Sequence, residues 1–359
     1  MVGSLGQKAK KMLQEFVPEI DAKIRERFEI EIEKNFGFNE RQKKLNREIL
    51  EHAKEYILRP TKRLRGSFVY YGWKLGRDTP LRTVLSRGWG EVGWNAAIGI
   101  ELVHAALLMH DDVMDRDEIR RGGPTTHKYY EKRYGSDAHF GEAMAVGVGD
   151  IVLCLGFNLL ASCENHKSTI KMLSGIVQTG YGQAFDMVLE RERGWAEDDI
   201  IALHKAKTAI YTYDIPLFVG GSLAGLSGEA LKILHDYAMD GGVAFQLQDD
   251  ILGVYGDDVK TGKLGYRDIK EGKVTLLFVK SKDERLKELW GKKDITINEV
   301  REARRIIEKT GSLEYSRKLA REYAARAAKT AERLRKLELD REAIDYIQGI
   351  AEYMVEREV

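Results

Sequence analysis

Along Ala97 to His110, "AIGIELVHAALLMH", apolar residues return at helical spacing, with Ile98, Leu102, Ala105 and Met109 on one stripe. The spacing predicts a helix with a core-facing side, ending where the acidic run at Asp111 begins. Further on, "EVREARRIIEKTGSLEYSRKLAREYAARAAKTAERLRKLE" is built from strong helix formers, with Val300, Ala303 and Ile307 as a second apolar stripe and a break near Gly311 and Ser312. "AMAVGVGDIVLCLGFNLLASC", Ala143 to Cys163, is nearly long enough to cross a bilayer. Asp150 and Asn158 lie inside it, and a central acid costs about 3 kcal/mol on insertion scales. The segment therefore reads as a helix buried in a core, not as a membrane span. "SKDERLKELWGKKDITINEV", Ser281 to Val300, reads as an exposed connector. Five prolines leave few obligate breaks, and no run of alternating strands or glycine fingerprint after a strand stands out. The expectation is all-α: one domain spanning residues 1–359, a large bundle of long helices around a core.

Charge narrows the function. With 58 basic and 57 acidic residues, no global field draws the chain to nucleic acid or anionic lipid. Cys154 and Cys163 sit in an apolar run, which argues against a disulfide framework and for a reducing compartment, hence a cytoplasmic location. The N-terminal residues lack the uninterrupted apolar core of a signal peptide.

Charged chemistry must then be local, and it concentrates in two places. In "LMHDDVMDRDEIRRGGPTTH", Asp111 and Asp115 are four apart and share a helix face with side chains about 6 Å apart, while Asp112 is turned away by about 100°. Like charges at that spacing repel. A divalent cation reverses the sign, and magnesium accepts carboxylates together with phosphate oxygens. Arg120 and Arg121 follow, suited to bidentate phosphate contacts. Two readings stand here: an exposed helix end laced with salt bridges, or a diphosphate bridged to the acids through Mg²⁺. "GGVAFQLQDDILGVYGDDVKTGKLGYRDIKEGK" repeats the arrangement, with Asp249 and Asp250 at the end of an apolar helix and Lys260, Lys263 and Lys273 beyond a glycine-broken stretch. Gln246 lies one turn before Asp250, where its carbonyl dipole could serve the same cavity. Gln248 reads as a core amide.

Taken together, these segments resemble the trans-isoprenyl diphosphate synthase family, the head-to-tail prenyltransferases. "HDDVMDRDEIRRGGPTTH" resembles the first aspartate-rich motif and "FQLQDDILGVYGDDVKTGK" the second. "TKRLRG" at Thr61, "GYGQAFD" at Gly180 and "HKAKTAIYTY" at His204 resemble three further motifs, all in family order between Lys62 and Lys273. The resemblance implies an all-α, usually homodimeric fold around a deep central cavity, and a Mg²⁺-dependent condensation of isopentenyl diphosphate with an allylic diphosphate. It implies that Asp111, Asp112, Asp115, Asp249 and Asp250 bind several magnesium ions, three with substrate present. Arg120, Lys207, Lys263 and Lys273 would hold the allylic diphosphate, and Lys62, Arg65, His104 and Arg121 the isopentenyl diphosphate head. Thr208 and Gln246 would stabilise the allylic cation, with Gln183 and Asp186 behind the metals.

Product length follows from cavity depth. Val103, Ala106 and Leu107 precede Asp111 by one to two turns, and farnesyl-producing members tend to carry aromatic residues at the latter two positions. Alanine and leucine favour a longer product, geranylgeranyl diphosphate or somewhat beyond. The same residues could instead simply pack between helices. The chain departs from the family pattern at Gly253, where many members have a third aspartate, at Gly66, where proline is common, and by one extra residue between Lys263 and "DIKEGK". Alternatives are a farnesylgeranyl or farnesyl diphosphate synthase, a class I terpene cyclase, or a non-catalytic subunit of a heteromeric synthase. A cyclase would need an Asn/Ser/Glu metal motif where this chain has "QDD" and lysines, and a non-catalytic subunit would be expected to lose acids or bases that are retained here.

Overall fold

The computed structural model describes residues 4–34, 36–78, 89–192, 194–256 and 265–356. In chain order the longer helices are α1 (Leu5–Ile32), α2 (Glu40–Leu58), α3 (Leu64–Lys74), α4 (Gly90–Met114), α5 (Thr126–Arg133), α6 (Ala138–Ala161), α7 (His166–Leu189) and α8 (Glu197–His204). A π-wound segment, Lys205–Asp214, leads into α9 (Ile215–Leu223) and α10 (Gly228–Tyr255). Then come α11 (Arg267–Glu271), α12 (Leu276–Ser281), α13 (Glu284–Leu289), α14 (Ile297–Lys309), α15 (Ser312–Glu332) and α16 (Arg341–Val355). The all-α expectation holds. Among the described residues the only strands are β1 (Ile119–Arg120) and β2 (Gly123–Pro124), paired antiparallel.

Local chemistry sets several boundaries. Asn39 and Gln42 form a reciprocal capping box at the start of α2, each side chain accepting the other's backbone N–H at 3.0 Å. Thr296 and Glu299 do the same for α14, whose buried residues are the predicted Val300, Ala303 and Ile307. The predicted break is there too: Gly311 adopts φ +78°, and α15 begins at Ser312.

The chain gathers into two compact units, each drawn from separated stretches. Of the described residues, the first takes 4–12, 71–78, 170–192, 194–256 and 265–356, and the second 13–34, 36–70 and 89–169. In the first unit α10 packs along α15 and along the π-wound segment. Gly242 of α10 makes that last approach possible, because a Cβ there would run into the backbone of Ala209. A cluster of Ile251, Val254, Ile269, Leu286, Leu289 and Trp290 with the α14 stripe closes another side of α10. Ser281–Val300, read as an exposed connector, is exposed at half of its positions but also contributes Leu286, Leu289 and Trp290 to this cluster. These three, at i, i+3 and i+4, make little more than one turn of core, a pattern too short for periodicity to reveal.

In the second unit α4 packs against α6. Gly99 and Gly156 let the backbones meet, since a Cβ on Gly156 would lie 2.7 Å from both the Gly99 carbonyl and Val103 Cγ2. Ala143–Cys163, read as a helix buried in a core, is only partly so. Helix α6 buries one face and leaves Phe140, Val146, Ile151 and Asp150 exposed on others. Both α4 and α6 are long and apolar enough to cross a membrane by length and composition.

Candidate active site

Each unit presents one of the acid clusters. In the second unit, α4 ends at Met114, so Asp111 and Asp112 occupy its last turn and Asp115 its C-cap. Consecutive helical residues diverge by about 100°, and the pair divides accordingly. Asp111 is partly exposed, whereas Asp112 is fully buried with both oxygens engaged. The Tyr56 hydroxyl of α2 donates to Asp112 Oδ2 at 2.7 Å, and Arg120 Nε donates to Oδ1 at 2.6 Å. Burial pushes the Asp112 carboxyl up from its ordinary value, and Arg120 opposes that rise. Asp112, which helix geometry turns away from Asp111 and which the family resemblance assigns to magnesium, here holds Arg120 inward.

Arg120 is likewise more embedded than expected. Its Nη2 lies 2.8 Å from Asp117 Oδ2 and 3.7 Å from Asp111 Oδ2. Burial works against its charge, and Asp112, Asp117 and Asp111 restore it. Arg120 and Arg121 ride on the β1–β2 hairpin, whose turn residues Arg121 and Gly122 both have positive φ (+52° and +78°). Arg59 staples this hairpin by donating from Nη1 to the carbonyls of Arg120 and Pro124, both at 2.9 Å, while Glu55 holds its other nitrogens. "EYILR", Glu55 to Arg59, carried no signal of this role, because Tyr56 and Arg59 act through partners far away in sequence.

His104 lies on α4 ahead of the acids. Burial, then Arg65, Arg121, Arg120 and Arg63, hold its imidazole well below the ordinary value, so it is neutral at physiological pH. Arg121 is pushed down to about 10 by burial and by Arg63, and remains a cation. A neutral histidine among arginines that repel one another is a place where a polyanion lowers the energy of every neighbour. Arg65, half-buried, lies beside this group, and Lys62 is exposed. Of the proposed length-setting residues, Val103 and Ala106 are fully buried and Leu107 half-buried. Val103 is wedged against Gly156 of α6.

In the first unit the second cluster repeats the division. Asp249 is partly exposed and Asp250 is buried. Asp250 Oδ1 accepts Gln246 Nε2 at 2.9 Å, and Oδ2 lies 3.2 Å from His204 Nε2. Gln246 Oε1 in turn accepts the Thr208 hydroxyl at 2.6 Å, which fixes the amide's orientation. Thr208 and Lys207 belong to the π-wound segment, a winding often found at functional sites. Lys207 Nζ pairs with Asp186 Oδ2 of α7 at 2.6 Å.

The departure at Gly253 has a structural counterpart. A Cβ at Gly253 would collide with the carboxylate of Asp268, which occupies the space beside α10 where a longer residue would begin. Burial pushes Asp268 up to about 7, with Lys273 pulling it down and Asp250 pushing it up. Asp268 was missed from sequence, although glycine in place of an acid was the available clue. Lys273 lies 3.6 Å from Glu271 Oε2. Lys260 and Lys263 fall outside the described residues.

Among the described residues no three acidic or histidine side chains form a ready-made ion cage. In the second unit the partly exposed Asp111 and Asp115, and in the first unit Asp249, offer carboxylate oxygens, hard donors of the kind magnesium takes alongside substrate phosphates.

Residues 47–307 match the polyprenyl synthetase family. A geranylfarnesyl diphosphate synthase of Aeropyrum pernix is 34% identical over 275 residues, covering 73% of this chain and 81% of that protein. A geranylgeranyl diphosphate synthase of Methanosarcina mazei is 32% identical over 269 residues, covering 73% and 78%. The fold is shared with the geranylgeranyl pyrophosphate synthase of Corynebacterium glutamicum, solved with isoprenyl diphosphate and magnesium, at a TM-score of 0.79, 24% identity and 99% coverage of both chains. The chain belongs to the polyprenyl synthetase family, all-α trans-prenyltransferases.

Proposed function

We propose that this prenyltransferase condenses isopentenyl diphosphate with an allylic diphosphate, using several magnesium ions (three with substrate bound), to make mainly geranylgeranyl diphosphate. The observation that carries the reading is the division of labour within each acid pair. One carboxylate is presented outward, and its neighbour is tied inward to a residue that serves the substrate.

Asp111, Asp115 and Asp249 would hold the ions, which when bound stabilise the negative charge gathering on the leaving diphosphate. Arg120, Lys207, Lys263 and Lys273 add fixed positive charge around the allylic diphosphate. The allylic carbon–oxygen bond breaks with its electron pair leaving on the diphosphate. The double bond of isopentenyl diphosphate, oriented by Lys62, Arg65, His104 and Arg121, forms the new carbon–carbon bond. A proton lost from the adjacent carbon goes to the departing diphosphate, so no side chain need act as nucleophile or base. Thr208 keeps two lone pairs after donating to Gln246, and Gln246 Oε1 keeps one after accepting, so both oxygens offer negative dipole ends to the cation. Water must be kept from that cation.

Two further readings accompany this one. One face of α7 exposes Ile170, Leu173, Val177, Tyr181, Phe185 and Val188 at helical spacing, which supports a homodimer. Sedimentation should find a dimer, and Val177→Glu should shift it to monomer. A cytoplasmic protein without a membrane span is supported by the mostly buried α4, by Asp150 on α6 and by the free thiols of Cys154 and Cys163.

The test is incubation with labelled isopentenyl diphosphate and each allylic primer, with and without Mg²⁺, with products separated by chain length. Twenty-carbon product that depends on magnesium is expected, and no elongation with any primer would remove the reading. Ala106→Phe should shorten the main product by at least one isoprene unit. An unchanged product from a folded variant would mean that Ala106 packs between helices and does not limit the chain.

A further inference from the structure

The segment Lys62–Gly66 holds two residues assigned above to the isopentenyl diphosphate head, and between them a third cation, Arg63, with partners of its own. Arg63 is buried and sits in the left-handed region at φ +50°, a conformation a long side chain rarely adopts without strong anchoring. The anchors are present. Arg63 Nη2 donates to the Ile57 carbonyl at 2.6 Å, Nε to Asp21 Oδ1 at 2.7 Å, and Nη1 to Glu101 Oε2 at 3.3 Å. Glu101 is itself buried on α4, one turn before His104. Its second oxygen, Oε1, accepts the backbone N–H of Gly66 at 2.9 Å.

We propose that Glu101 is the positioning residue for the isopentenyl diphosphate head: one carboxylate grips Arg63 and Gly66 on either side of Arg65 and so sets the aim of Lys62 and Arg65. The inference rests on the substrate reading given above. Two consequences fit the rest of the site. Glu101 is an acid facing Arg121 as well as Arg63, so it offsets the mutual repulsion of the cations around His104 before substrate arrives. The identity of residue 66 matters to this bond, because a proline there would have no N–H to give Glu101. A Cβ there would additionally meet Ile20 Cδ1, the flexible tip of a side chain.

The experiment is steady-state kinetics on the full chain. Glu101→Gln keeps the size and an acceptor for Gly66 but removes the charge opposite Arg63. It should raise KM for isopentenyl diphosphate about 10-fold or more, with kcat within about 3-fold and KM for the allylic diphosphate unchanged. A purely structural role would lower both affinities together, or only the melting temperature. Should Glu101→Gln fail to fold, a second pair isolates the Gly66 bond. Ile20→Val with Gly66→Ala retains the N–H, and Ile20→Val with Gly66→Pro removes it. Only the proline variant should show the raised KM for isopentenyl diphosphate. Lys62→Ala and Arg65→Ala distinguish the two layers of the argument. If they leave that KM unchanged, the substrate reading itself is wrong. If they raise it while Glu101→Gln and the proline variant do not, the role of Glu101 is overturned.

Discussion

Asparagine at Asp111 or at Asp249 is expected to lower kcat by about 100- to 1,000-fold and to raise the Mg²⁺ concentration needed for half-maximal rate. The reason is charge: asparagine keeps the shape but loses the negative oxygen that a hard cation prefers. Fold stability should barely move, because both acids are partly exposed. Asp112→Asn should behave differently. Both Asp112 oxygens are in use, and one would become an NH₂ group facing either Tyr56 or Arg120. Breaking that buried pair should cost about 3 kcal/mol or more in stability, with much less change in the magnesium requirement. Magnesium titration of initial rates, together with urea unfolding of each variant, separates the two classes. Equal magnesium shifts for Asp111→Asn and Asp112→Asn would show that the two acids share one job.

The second large effect concerns a backbone contact between α10 and the π-wound segment. Gly242→Ala adds one methyl group, but it points at the Ala209 backbone, which cannot swing aside as a side chain tip can. Overpacking of this kind costs about 1–3 kcal/mol, and here the upper end or beyond is expected. The π-wound segment and α10 must separate, which lengthens the 2.6 Å bond between Thr208 and Gln246. Activity should fall more than about 10-fold while magnesium dependence stays normal. A melting temperature and rate within error of the parent would mean that the two backbones are not in contact in solution.

How much of this was legible in the sequence depends on the range of the interaction. Helical periodicity and the Val300, Ala303, Ile307 stripe could be read directly, because period and caps are local. The acid pairs could be read too, and a helical turn of 100° per residue already separated Asp112 from Asp111. What could not be read was where the inward member points. Tyr56 reaches Asp112 across 56 positions, His204 reaches Asp250 across the π-wound segment, α9 and most of α10, and Arg59 reaches the hairpin from α2. Charged residues such as Arg59, Arg63 and Glu101 look like surface residues in a sequence and become interior ones only through distant partners. Gly253 was visible as a departure, but the carboxylate of Asp268 beside it belongs to another helix.

The winding of Lys205–Asp214 carries a consequence for anyone counting residues along this chain. Each of its turns takes up more backbone than an α-turn does, so side chains four apart there no longer stand above one another. A helical wheel carried through from α8 would send Lys207 and Thr208 to the wrong compass points. The far end is moored: Asp214 is buried, with Lys171 Nζ 2.5 Å from one oxygen and His235 Nδ1 3.0 Å from the other. Removing a single residue between those moorings and α8 would let the backbone relax into ordinary winding and swing the lysine and threonine round the axis, leaving a well-folded rod with its tools facing the wrong way.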